Sequence, residues 1–63
     1  MEDMEELVED YLAKMDLLLD DDRIEWRWDT IEDIHNQVST KKWISQAQMD
    51  LIDGCEKEIE DYE

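Results

Sequence analysis

The chain has 63 residues, with 21 Asp and Glu against 6 Lys and Arg, a formal net charge of −15, and 41% hydrophobic residues. That length admits one small domain with a modest core, and a single cysteine excludes an internal disulfide. Charge on this scale opposes compaction by self-repulsion and sets the chain against nucleic acid and anionic membranes.

The apolar material is nonetheless sufficient for a core, with three Trp, two Tyr and no Pro to interrupt helices. The first helix is expected over residues 3–19. Met4, Leu7, Val8, Tyr11, Leu12, Met15, Leu18 and Leu19 recur at spacings of three and four and form one apolar stripe. Glu2, Asp3, Glu5, Glu6, Glu9 and Asp10 occupy the other faces and crowd the first turns, where the helix dipole favours negative charge. Asp20-Asp21-Asp22 should stop this helix, since acids at a C-terminus oppose the dipole, and Asp21 or Asp22 can cap the next helix.

Arg23-Ile24-Glu25-Trp26-Arg27-Trp28 alternates like a strand when read alone. A lone strand would have no partner in so short a chain. Ile24, Trp28, Ile31, Ile34 or His35, and Val38 continue a helical period, so a second helix is expected over 23–38. Ser39-Thr40-Lys41-Lys42 then reads as a polar connection. Ser45 with Gln48 has capping-box spacing, and Ile44 with Met49 fits a hydrophobic staple, which together start a third helix. Its inner stripe is Met49, Ile52, Cys55, Ile59 and Tyr62. Gly54 inside it costs about 1 kcal/mol against Ala, which close approach of another helix would explain. The expected fold is all-α, a small antiparallel three-helix bundle forming one domain over residues 1–63.

Motifs for chemistry are sparse. Asp20-Asp21-Asp22 lacks the alternate acids, glycine and distal Glu of a calcium loop. Glu32-Asp33-Ile34-His35 contains half a di-iron signature, but Ile31 and Ile34 claim the inward face, leaving Glu32 outside and His35 at the boundary. No Cys–His pair, glycine-rich phosphate loop or Ser-His-Asp order is readable, and a chain this small has little room for a desolvated carboxylate cleft. A non-enzymatic protein with no metal and no cofactor is therefore expected.

Trp28 fits the inner face of the second helix, and Trp43 is placed to close one end of the core. Trp26 falls off the stripe and reads either as a lid over the bundle rim or, beside Arg23 and Arg27, as an anchor for a protein partner. Cys55 reads as a small core residue; without targeting signals and with an acidic N-terminus, it fits a reducing cytoplasm.

The acids are the dominant feature. Glu2, Glu5 or Glu6, Glu9, Asp16 and Asp20 follow one outer line of the first helix, interrupted at Ala13. Asp50 and Asp53 make a short line on the third helix, and Glu56, Glu60 and Glu63 a second. Residues four apart rise about 6 Å along a helix, a scale comparable to the roughly 3.4 Å between phosphates on a DNA strand. Such a surface suits a basic cleft built for nucleic acid. The alternative is a solvated face that only keeps the chain dispersed, although a small domain needs a net charge of only about 2–8 for that.

Trp43-Ile44-Ser45-Gln46-Ala47-Gln48-Met49-Asp50-Leu51-Ile52 resembles the start of the closing helix in short proteins of tailed phages, and Trp28-Asp29-Thr30-Ile31-Glu32-Asp33-Ile34 resembles the aromatic-rich helix before it. In size and charge the chain is also similar to acidic phage inhibitors of host defence, such as anti-CRISPR and anti-restriction proteins. This resemblance implies a phage origin, a place in the host cytoplasm and a nucleic-acid-binding host target; it transfers no functional residue.

The expectation is a DNA-mimic inhibitor whose partner-binding set is Glu2, Glu5, Glu6, Glu9, Asp10, Asp16, Asp20, Asp21, Asp22 and Trp26, extended by Asp50, Asp53 and Glu56. The competing expectations are a helical interaction module that binds through Trp26, Trp43 and leftover apolar stripe, and a homodimer that completes a bundle.

Overall fold

The computed structural model describes residues 3–62 of the chain. Glu2 and Glu63, assigned above to acidic lines, lie outside the described residues, as does the side chain of Tyr62. Three α-helices follow in order, α1 (Met4–Leu19), α2 (Trp28–Lys41) and α3 (Gln46–Tyr62), with a 3-10 segment (Asp22–Arg27) between α1 and α2. No described helix is long and apolar enough to cross a membrane.

Helix α1 starts after Asp3, whose side chain makes no capping bond; Glu5 and Glu6 in its first turn interact favourably with the dipole instead. Its end is built by the acids expected to stop it. The Asp20 N–H donates to the Leu17 carbonyl and the Asp21 N–H to the Leu18 carbonyl. The Asp21 carboxylate then accepts from the Arg23 backbone N–H at 3.0 Å, the capping role foreseen for it.

The second helix departs from expectation at both ends. Its first turn is 3-10, and Ile24 leaves helical geometry at φ −119°, ψ 21°. The kink lets Ile24 bury completely while Trp28 turns back, its indole N–H donating 3.0 Å to the Leu18 carbonyl. That bond satisfies one of the carbonyls an α-helix leaves open at its C-terminus. At the other end the helix runs through Ser39, Thr40 and Lys41, so the polar connection is shorter than expected. Lys42 ends it in the left-handed region at φ 57°, its N–H donating 2.8 Å to the Val38 carbonyl.

The start of α3 matches the capping box in full. Ser45 Oγ accepts from the Gln48 N–H at 3.1 Å, and Gln48 Oε1 accepts from the Ser45 N–H at 2.9 Å. Ile44 is fully buried before the cap and Met49 packs on the core after it. Trp43 does not close the core: it is 51% exposed. Adjacent side chains of a non-helical stretch diverge, and the staple at Ile44 takes the inward place.

The core comprises Val8, Tyr11, Met15 and Leu18 of α1, Ile24, then Ile31, Ile34 and Val38 of α2, Ile44, and Ile52 and Cys55 of α3. Of the two candidates on α2, Ile34 is the inward residue. Met4, at the end of the first stripe, stays at the exposed rim. No described polar or charged side chain is buried. Cross-helix bonds give the helix directions. Tyr11 reaches Asp53 and Lys14 reaches Glu56, so α1 and α3 run together. Asp16 meets His35, Arg27 meets Glu58, and Gln48 meets Gln37, so α2 opposes both.

Gly54 is exposed, and a Cβ there would meet nothing within 4 Å, so no close helix approach explains it. Gly54→Ala should therefore stabilise the protein by about 1 kcal/mol through helix propensity alone. A midpoint unchanged or lowered in urea unfolding would contradict this.

Candidate acidic interface

Every described acid except Asp21, Glu56 and Glu58 is exposed. This follows from the pattern that folds the chain: once the apolar stripes face inward, the remaining positions are carboxylates. On α1, Glu6, Glu9, Asp10, Asp16 and Asp20 lie on the side away from Tyr11 and Met15, and Glu5 lies at its flank. From Glu6 to Asp20 the row spans roughly 21 Å at the helical rise, in a molecule whose longest extent is 34 Å.

Three of the six bases, Lys14, Arg23 and Arg27, pair with acids outside the α1 row. Lys14 sits 3.6 Å from Asp53 and 3.3 Å from Glu56. Arg23 binds the Asp21 carboxylate through Nε at 3.0 Å and Nη2 at 2.8 Å. Arg27 reaches Glu58 at 3.2 Å. The candidate set therefore divides. Glu5, Glu6, Glu9, Asp10, Asp20 and Asp22 carry no cation partner among the described residues. Asp16 has only His35 Nε2 at 3.0 Å and keeps 70% of its side chain exposed. Asp21, Asp53 and Glu56 are engaged within the fold, and Asp50 accepts from Gln46 at 2.9 Å. For Asp16, Asp53 and Glu56 this separation could not be read from the sequence, because their partners lie far away in the chain.

Asp53 is a clasp as much as a surface charge. The Tyr11 hydroxyl donates to both its oxygens at 3.1 Å. Burial, then the bond to Asp53 and its negative charge, push the Tyr11 phenol above 10.0. Desolvation pulls the Lys14 ammonium down, but its hydrogen bond to Glu56 and the surrounding negative charge win, leaving it above 10.5. Burial likewise pushes the Cys55 thiol above 9.0, with Arg27 opposing and Glu58 adding to the shift. The hydrogen bonds and charge of Arg23 hold the Asp21 carboxyl below its ordinary value.

Three of these shifts act together at high pH. A group raised in the folded state keeps its contribution below its unfolded value and loses it as pH rises through its folded value. Stability should thus stay level from neutral pH to about 9, begin to fall there as the unfolded thiol ionises, and fall faster above about 10. Thermal unfolding across this range checks it: Cys55→Ala should remove the first decline and Tyr11→Phe most of the second. A decline starting near neutrality would contradict the assignment.

A second acidic surface lies on α2 and is absent from the set expected from the sequence. Asp29, Glu32 and Asp33, with Asn36, line a shallow depression of about 230 Å³ on its outer side. Its signal is the same three-and-four spacing that marks α1. Glu32 points outward, as expected from Ile31 and Ile34, and among the described residues no group of acids, His or Cys is arranged to hold a metal ion.

The aromatic candidates also separate. Trp26 is 67% exposed, carried outward by the 3-10 segment, so it is no lid. The Arg27 guanidinium stacks 4.5 Å from its ring centre. Compared with protein families, curated proteins and solved structures, the chain matches none at a significant level.

Proposed function

We propose that this protein is a non-enzymatic inhibitor that occupies the basic nucleic-acid-binding surface of another protein, of the kind phages direct against host defence. The observation that carries the reading is the row of exposed carboxylates on α1, which, apart from the Asp16–His35 contact, have no cation partner among the described residues and are held on a packed helix. Fixed charges lose little freedom on binding, whereas a disordered acidic tail would have to be ordered first. Both partners would release counterions, as at a DNA interface.

The test is capture of partners from a bacterial lysate at low and physiological salt, followed by elution with excess duplex DNA. Retention that weakens steeply with salt and is reversed by DNA is expected; a partner that DNA cannot displace would sink the reading. The exposure of Trp26 and Trp43 favours a second reading, a helical module that docks through aromatic surface. That mode predicts binding nearly independent of salt and abolished by Trp26→Ala.

A further inference from the structure

Leu17 is the most exposed large apolar residue of the described chain, at 74%. A single exposed leucine is ordinary; this one borders a groove. Between α1 and α3, Leu17, Leu18 and Ile59 form the apolar part of a depression of about 240 Å³, edged by Asp21, Glu56 and Glu60. The volume suits one aliphatic side chain with room at its mouth.

The charge around the groove selects what enters it. Glu60 has no cation partner among the described residues, and exposed Asp20, whose N–H donates to the Leu17 carbonyl, stands beside it. Glu56 and Asp21 are engaged by Lys14 and Arg23, but through solvent-accessible pairs. The Lys14–Glu56 pair, a single contact open to solvent, exchanges readily for an incoming cation, whereas the bidentate Asp21–Arg23 pair stays closed. The other sizeable depression, about 450 Å³ between α1 and the end of α2, has Val8 and Leu12 as its apolar part and Glu5, Glu9 and Lys42 around them, so a base offsets part of its acid charge. No base lines the Leu17 groove, so a cationic segment is attracted more strongly there.

The geometry points to the Leu17–Ile59 groove as the docking site for a cationic amphipathic helix of a protein partner, which inserts one aliphatic side chain and surrounds it with Lys or Arg. The inference rests on the reading of this chain as a binder of basic surfaces, and adds to it a contact that DNA itself does not make. Charge then brings the partner in, and the apolar contact distinguishes a protein helix from other polycations.

Two synthetic peptides of about 18 residues, long enough to form a helix, test this by methyl NMR titration of the full chain. One alternates Lys and Leu at helical spacing; the other replaces every Leu with Ser at equal charge. The Lys/Leu peptide should bind at least about tenfold tighter, as expected for burying one leucine side chain, and shift the Leu17, Leu18 and Ile59 methyls first. Leu17→Asp, which adds negative charge at an exposed site, should weaken the Lys/Leu peptide about tenfold and leave the Lys/Ser peptide within about twofold. Equal affinities, shifts confined to other methyls, or undiminished binding to Leu17→Asp would overturn the groove. In those cases binding of the Lys/Ser peptide would leave charge recognition standing; failure of both peptides to bind would remove both readings.

Discussion

Ile31→Ala is expected to leave the chain largely unfolded at room temperature in low salt. Ile31 is completely buried near the start of α2, within a core cluster drawn from all three helices. Truncating such a side chain costs about 2–5 kcal/mol. At roughly 0.05–0.15 kcal/mol per residue, a chain of this size holds only about 3–9 kcal/mol in total. Self-repulsion from a net charge of −15 moves it towards the lower figure. Ile31→Val, costing about 0.5–1.5 kcal/mol, should remain folded. Circular dichroism reads both, and molar NaCl should restore part of the lost helix in the alanine variant by screening the acids. A cooperative transition within a few degrees of the parent would show that the core is not organised around α2.

Neutralising the α1 row should separate binding from stability. Changing Glu6, Glu9, Asp10, Asp16 and Asp20 to their amides removes charges with no cation partner among the described residues, apart from the exposed Asp16–His35 contact. Stability should rise as repulsion is relieved. Affinity for the captured partner should fall by roughly 1–5 kcal/mol, taking about 0.2–1 kcal/mol for each exposed ion pair, which is about fivefold to several thousandfold. The control neutralises an equal number of exposed acids elsewhere: Glu25, Asp29, Glu32, Asp33 and Asp61. If calorimetry shows equal losses for both sets, bulk charge is responsible and the α1 row has no special role.

Much of the fold was legible because it is written in local chemistry. The bounds of α1, the Asp21 cap and the reciprocal Ser45–Gln48 bonds all depend on residues within a few positions of one another. What was illegible depends on distant partners. The kink at Ile24 follows from Trp28 reaching the Leu18 carbonyl, which no helical period announces. The choice of Ile44 over Trp43 for the core reflects how a short connection divides two apolar neighbours. For the site, periodicity located the α1 acids, but the withdrawal of Asp53 and Glu56 into contacts with Tyr11 and Lys14 needed the relative positions of α1 and α3. The acids of α2 were legible by the same spacing, masked only by the apolar residues between them.

Cys55 is the chain's sole thiol and is 2% exposed, inside the core on α3. An alkylating reagent can reach it only in molecules that have transiently come apart, and burial also withholds the reactive thiolate. Its rate of modification thus measures the open population under native conditions, without denaturant. A partner that binds only the closed form would slow that chemistry in proportion to its occupancy, so alkylation reads engagement wherever on the surface the contact is made.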